Sequence, residues 1–134
     1  MKKNIEYMVD IPYNSIDKNY IIEFYQKENG VYPVKEFLDS IEDKKLLNKA
    51  LRNINLLQEW GNNITERFSK HIRDGIYELR IVHGNNHVRI LYFFDKNRII
   101  VLTNAFYKKT ARVENKEIDK AYSYRQDYQS RKEE

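Results

Sequence analysis

Residues 70–109 read KHIRDGIYELRIVHGNNHVRILYFFDKNRIIVLTNAFYKK. Apolar and polar residues alternate along this stretch, as is typical of strands, whose successive side chains point to opposite faces. It divides into three predicted strands, at residues 76–83, 87–95 and 98–107. Tight turns rich in Asn, Gly and Lys separate them, and turns this short join antiparallel neighbours. The stretch therefore predicts an antiparallel meander.

The sequence before the meander predicts a strand and two helices. Residues 20–25 are β-branched and aromatic, which favours a first strand. Pro33 suits the first turn of a helix, and apolar residues at helical spacing continue to Trp60, where Gly61 can end the helical region. A short strand is also expected near residues 66–70.

After the meander, apolar residues recur on one side of a predicted C-terminal helix. The fold class is therefore α+β: a small twisted antiparallel sheet with two helices from the N-terminal half packed on it, and a C-terminal helix. We expect one domain over residues 20–130. Residues 1–19 are a loosely ordered lead with one short strand near residues 6–11, and residues 131–134 form a frayed tail.

Composition excludes several classes of protein. The chain has no cysteine, so it has no disulfide framework and no thiolate metal site. No apolar run follows the first lysines and no segment has the length of a membrane span, so we expect a cytoplasmic protein without membrane contact.

Charge is concentrated on the predicted sheet. Residues 64–112 carry ten Lys or Arg against four Asp or Glu, a local balance of +6, whereas the whole chain is only +4. All three histidines also fall in this region. Because cations on a small sheet suit a phosphate-rich partner, RNA is the leading candidate.

Five segments in a fixed order resemble the RelE/HigB superfamily of toxins from bacterial toxin–antitoxin pairs, most closely its phage-derived HigB-like branch. The segments are GVYPVKEFL (30–38), KHIRDGIYELR (70–80), VRILYFF (88–94), FYKKT (106–110) and EIDKA (117–121). Together with Arg125 and Tyr128, they extend the resemblance over about residues 20–128. Each motif is weak alone, and their order and spacing give the resemblance its strength.

The resemblance implies a RelE-like fold and an endoribonuclease that cuts mRNA in the ribosomal A site and so inhibits translation. It also implies a cognate antitoxin, a helix-turn-helix protein of the HigA type. RNA cleavage of this kind needs no metal or other cofactor, because the ribose 2′-hydroxyl attacks the adjacent phosphate. The protein then has to orient the 2′-oxygen, stabilise the phosphorane and protonate the leaving oxygen.

Arg80 and Arg89 are the first catalytic candidates, since each lies inside a strand and the hairpin at residues 84–86 makes those strands neighbours. The resemblance places both at strand cations of the superfamily, and a guanidinium can hold two phosphate oxygens at once. The alternative is structural: Arg80 pairs with an acidic residue such as Glu78 and only holds the sheet together.

Lys108 and Lys109 close the last strand. The resemblance places Lys109 at a catalytic basic position and leaves Lys108 as an RNA-binding candidate; the alternative is a solvated lysine pair. Tyr107 could stack on a base or donate its phenolic proton. Because alternation puts it opposite Phe106, one of these two rings is expected in the core.

Lys70, His71 and Arg73 precede the strand at residues 76–83. His71 is the best general acid or base by residue type, since an unperturbed imidazole titrates near pH ~6.5. Lys70 could serve as a base only if neighbouring cations lower its pKa; otherwise Lys70 and Arg73 bind RNA. The histidines lack the spacing and carboxylate partner of a metal site.

Two other functions fit the same residues. The basic face could bind RNA or the ribosome without cleaving, or the sheet could be a protein-interaction module of phage origin for an acidic partner.

Overall fold

The chain folds around a five-stranded sheet. The structure is a computed structural model, and it describes residues 20–132. The strands are β1 (Ile21–Phe24), β2 (Ser69–Arg73), β3 (Ile76–His83), β4 (Asn86–Asp95) and β5 (Ile99–Tyr107). The helices are α1 (Pro33–Asp39), α2 (Lys44–Trp60) and α3 (Asn115–Lys132), and a 3-10 turn covers Gly61–Asn63. The α+β class and the predicted meander are confirmed.

The sheet order is β1-β5-β4-β3-β2. Strands β2 to β5 are antiparallel neighbours, whereas β1 pairs with β5 in parallel, with Ile22 opposite Ile100. The predicted antiparallel sheet is therefore confirmed for β2 to β5, and the parallel pairing of β1 was not predicted. Parallel pairing requires a long crossover, and here the intervening helices and strands supply it.

Short turns join the strands: two residues between β2 and β3 and between β3 and β4, and three between β4 and β5. Asp74 and Gly75 both have positive φ, as do Lys96 and Asn97, and Gly84 has a φ of 59°. Such turns match the twist of the strands they join. Because the register is fixed, Arg80 on β3 lies directly opposite Arg89 on β4.

The two faces of the sheet carry separate apolar clusters. Helices α1 and α2 cover one face, and the members of that cluster are fully or almost fully buried. They include Val34, Leu38, Leu46, Leu57, Leu79, Ile81, Ile90 and Leu102. Helix α3 covers part of the other face. Its cluster contains Tyr25, Ile76, Leu91, Phe93, Val101, Ala121 and Tyr128.

Both ends of α2 follow from local sequence. The Asp43 carboxylate accepts hydrogen bonds from the backbone N–H groups of Lys45 and Leu46, which caps the helix. Gly61 ends it with a φ of 50°, and the ring of Tyr20 lies against its backbone. The predicted helix end at Gly61 is confirmed.

Helix α3 continues through Lys132. The frayed tail predicted from residue 131 therefore does not include Arg131 and Lys132. Arg131 pairs with Asp127, and the Lys132 amine lies 3.5 Å from a carboxylate oxygen of Asp95 on β4. The first pair lies within α3, and the second joins its last turn to the sheet. The lead at residues 1–19, including the strand expected there, lies outside the described residues, as do residues 133 and 134.

Candidate nucleic-acid site

Charged side chains occupy the part of the α3-facing sheet surface that α3 leaves open. Alternation along β3 puts Glu78 and Arg80 on the same face as buried Ile76, and alternation along β4 puts Arg89 there with Leu91. Lys70 pairs with Glu78 across β2 and β3. The sheet therefore brings the cations of three strands onto one surface.

Glu78 lies between the two arginines. Its Oε2 accepts a hydrogen bond from Arg80 Nε at 3.0 Å, and its Oε1 lies 3.3 Å from Arg89 Nε. Glu78 Oε1 and Arg89 Nε form an ion pair, but neither atom makes an aligned hydrogen bond. Glu78 is 3% exposed and Arg89 6%, and burial lowers the pKa of the Arg89 guanidinium. Arg80 therefore makes the ion pair with Glu78 that the structural alternative predicted.

The contact with Glu78 leaves donors on Arg80 for another anion. A guanidinium has five N–H groups. One binds Glu78, and a second donates to the backbone oxygen of Glu66 at 3.3 Å. Because Arg80 is half-buried, its remaining donors can reach a phosphate at the surface.

Lys108 extends the cluster from the end of β5. Its backbone N–H donates to the oxygen of His87 at 2.7 Å, which continues the pairing with β4. Partial burial lowers the pKa of its amine, and the nearby charges of Arg89, Arg80 and Lys70 lower it further, whereas Glu78 raises it. Lys108 is therefore the lysine of the cluster best suited to lose a proton.

All of these side chains except Arg89, which is only 6% exposed, line a cleft of about 370 Å³, here called the basic cleft. Five cations and one carboxylate contribute to its wall: Lys70, Arg73, Arg80, Lys108, Arg112 and Glu78. The segment between β5 and α3 closes the far side, where Arg73 donates to the Asn115 side chain at 2.7 Å. The excess of positive charge suits a polyanion.

Lys109 and Tyr107 lie outside the basic cleft. Lys109 is exposed and lines a neighbouring pocket with Glu114 and Lys116. Tyr107 points to the α1 side, where its ring centroid is 5.2 Å from that of Phe37, and it remains 40% exposed. Of Phe106 and Tyr107, Phe106 is the ring that packs against a core cluster, the one on the α3 side of the sheet.

His71 stands at the rim of the basic cleft. Its Nε2 accepts a hydrogen bond from the Gly75 N–H at 3.1 Å, and its ring lies edge-on to Tyr77 at 4.9 Å. Because Nε2 accepts this bond, a neutral His71 in this position carries its proton on Nδ1. The side chain is exposed.

Residues 36–126 match the family described as phage-derived protein Gp49-like (DUF891). The chain belongs to this family. It is a family of RelE/HigB-type toxins, which confirms the resemblance at the superfamily level, while the HigB-like branch stays a prediction. The matched region of this Gp49-like protein includes every described strand except β1. No curated protein matches the chain.

Sequence inspection missed two members of the Gp49-like basic cleft. Arg112 lies in the segment after β5, where no strand pattern predicts its position. Glu78 was considered only as a structural partner, although alternation along β3 already places it beside Arg80. Within residues 20–132, no cluster of His, Asp or Glu could hold a metal ion, and no helix is long and apolar enough to cross a membrane.

Proposed function

We propose that this Gp49-like protein is the toxin of a toxin–antitoxin pair and an endoribonuclease that cuts mRNA on the ribosome in the cytoplasm. The observation that carries the proposal is the basic cleft, in which β2, β3 and the β5–α3 segment contribute five cations, with buried Arg89 opposite Arg80 on the neighbouring strand. A helix-turn-helix antitoxin of the HigA type would keep the toxin inactive.

In the proposed reaction a base removes the proton of a ribose 2′-hydroxyl, and the 2′-oxygen attacks the adjacent phosphorus. The bond to the 5′-oxygen breaks, that oxygen takes a proton, and the products are a 2′,3′-cyclic phosphate and a 5′-hydroxyl. Arg80 stabilises the negative charge of the phosphorane directly, and Arg89, which is buried beside Glu78 and does not line the cleft, adds positive charge next to it. A preorganised donor of this kind is worth roughly 10²–10³ in rate.

Lys108 is the proposed proton-transfer residue nearest the arginines, because its pKa is lowered there. His71 is a second acid–base candidate at the rim. Lys70 and Arg73 bind flanking phosphates. Lys109 and Tyr107, which lie beyond the basic cleft, would contact RNA farther along the strand.

The test is cleavage of mRNA in a purified translation system, with the new 5′ ends mapped. We expect Arg89→Ala and Lys108→Ala to lose cleavage by at least roughly 10². Arg52→Ala is the matched control, because Arg52 is an exposed cation of α2 on the other side of the sheet. A double variant, Arg89→Ala/Lys109→Ala, also tests Lys109, which the resemblance places at a catalytic basic position.

Induced expression of the same variants in cells measures toxicity. Growth arrest by wild type and by Arg52→Ala, but not by Arg89→Ala, would support the proposal. Intact mRNA and normal growth with soluble wild-type protein would contradict it.

The contact between Glu78 and the arginines favours a second candidate function, in which the protein binds RNA or the ribosome without cleaving. In that case the carboxylate already neutralises part of the charge that a catalyst would use. Arg89→Ala would then weaken binding, and wild-type protein would leave bound RNA uncut. Binding without new 5′ ends would select this function.

A further inference from the structure

A pocket of about 330 Å³, here called the aromatic pocket, lies on the other side of strand β2 from the basic cleft. Four rings line it: His71, Tyr77, Tyr92 and Phe94. Tyr77 is central, since its ring stacks on Tyr92 at 5.4 Å with an interplanar angle of 17°. It also meets Phe94 edge-on at 5.4 Å.

Part of this ring cluster is open to solvent. Tyr92 is buried, and its hydroxyl shares a hydrogen bond with Ser69, so it forms the floor. Tyr77 and Phe94 are half-buried, and His71 is exposed. A planar ligand can therefore reach the Tyr77 and His71 rings without displacing core residues.

The aromatic pocket and the basic cleft meet at strand β2, which ends the sheet order. Lys70 and His71 line both of them. Successive side chains of a strand point to opposite faces, so Lys70 points toward the basic cleft and His71 toward the rings. A polyanionic chain can pass around this edge and contact both faces.

We propose that the aromatic pocket binds one base of the RNA strand whose backbone lies in the basic cleft. This rests on the proposed function, because it takes RNA as the ligand of the cleft. Stacking on tyrosine and histidine rings is a general mode of single-strand recognition. Asn62 and Glu66 at the rim carry the amide and carboxylate groups that hydrogen-bond base edges. The positive charge shared through Lys70 favours RNA over an apolar protein segment.

The test is equilibrium binding of a fluorescent hexaribonucleotide to the full chain, compared with an abasic oligomer of the same length and charge. Tyr77→Leu removes the ring and keeps apolar volume, whereas Tyr77→Phe keeps the ring. Tyr32→Leu is the matched control, because Tyr32 is half-buried beside β1 at the opposite edge of the sheet.

We expect Tyr77→Leu to lose roughly tenfold in affinity for the base-bearing oligomer, within the range for one stacked base. Its affinity for the abasic oligomer should stay unchanged, as should both affinities of Tyr77→Phe and Tyr32→Leu. If Tyr77→Leu does not fold, Asn62→Ala tests the same pocket from its exposed rim, outside the basic cleft, and should weaken binding of the base-bearing oligomer alone by a smaller factor.

Three results would overturn the inference. If wild type and the folded ring variants all bind the base-bearing and abasic oligomers with equal affinity, the aromatic pocket takes no part in RNA binding and the basic cleft alone is the RNA site. Loss of antitoxin binding with unchanged RNA binding would assign the pocket to a protein partner. Absence of any RNA binding by wild type would mean that the proposed function itself fails.

Discussion

Arg80 and Arg89 lie directly opposite each other on β3 and β4, on the same face of the sheet. Like charges in this position repel and destabilise a sheet. Glu78 offsets the repulsion, because its two carboxylate oxygens contact the Nε atoms of both arginines. The close approach of the two arginines therefore depends on a buried carboxylate.

Glu78→Gln should destabilise the fold. It keeps the shape of the side chain but leaves Arg89, which is 6% exposed, with no counter-charge at Glu78. Breaking one partner of a buried pair costs about 3–5 kcal/mol, so we expect a loss of that order in the free energy of unfolding, measured by urea denaturation. Glu114→Gln is the control, because Glu114 pairs with Lys116 at an exposed site where about 0.5 kcal/mol is the usual scale. Equal stability of the two variants would show that Glu78 does not hold the arginines.

Lys108→Met should make the protein more stable while removing cleavage. The lowered pKa of Lys108 means that folding disfavours its charged form. Below that pKa the amine is charged in both the folded and the unfolded protein, so the full cost of holding the charge in the folded state lowers the free energy of unfolding. As the pH rises toward the ordinary lysine value of about 10.4, the folded state releases its proton first and wild-type stability recovers.

Thermal melting of wild type and Lys108→Met across pH 7 to 10.5 measures this difference. The gain from Lys108→Met should be largest near neutral pH and shrink toward pH ~10.4. A variant less stable than wild type at neutral pH would mean that Lys108 contributes packing that outweighs its charge.

Gly61→Ala should cost more stability than Gly84→Ala. Both glycines have positive φ, so alanine strains the backbone at each by about 1–2 kcal/mol. At Gly61 the added Cβ would also lie 2.1 Å from the ring of Tyr20, whereas nothing lies within 4 Å at Gly84. Urea denaturation of both variants measures this difference, to which the ψ of −122° at Gly61, outside the left-handed helical region, also contributes. A loss at Gly61 no greater than at Gly84 would show that the Tyr20 ring moves aside freely.

Arg112→Ala should weaken RNA binding and reduce its dependence on salt. Each phosphate contact on a single strand contributes about 0.7 to the slope of log affinity against log salt concentration. Loss of one contact should lower the slope by about that amount, as measured by titrations with a fixed oligoribonucleotide at several salt concentrations. Arg52→Ala should keep the wild-type slope, and a wild-type slope for Arg112→Ala would remove Arg112 from the RNA surface.

Periodicity predicted most of the fold, because alternation and tight turns fix the pairing of β3 to β5, although it did not reveal the bulge at Thr103, where Leu91 pairs with Asn104 and Tyr92 with Leu102. The parallel position of β1 was not predictable from its own four residues, since the edge it joins is formed far away in sequence. Helix α3 extends farther than its apolar pattern indicated because Lys132 contacts Asp95, a partner that local sequence does not reveal.

The candidate site was predictable only in part. Alternation was sufficient to bring Arg80 and Arg89 together, since both lie inside regular strands. It could not separate Lys108 from Lys109, because the difference depends on the path of the segment between β5 and α3. That path also determines the position of Arg112. Charge count alone would not reveal that Glu78 lies among these cations.

The parallel pairing of β1 with β5 also bears on when the domain can form. Strand β1 is the first described strand to be synthesised, and its partner is the last strand of the sheet. Contacts between such distant segments slow folding, because the loop between them must close before they are made. During translation β1 has to wait until β5 emerges from the ribosome, and α3, which packs on the finished sheet, follows. The domain should therefore complete its fold only after β5 and α3 have emerged, and until then the proposed antitoxin would meet a partly folded chain.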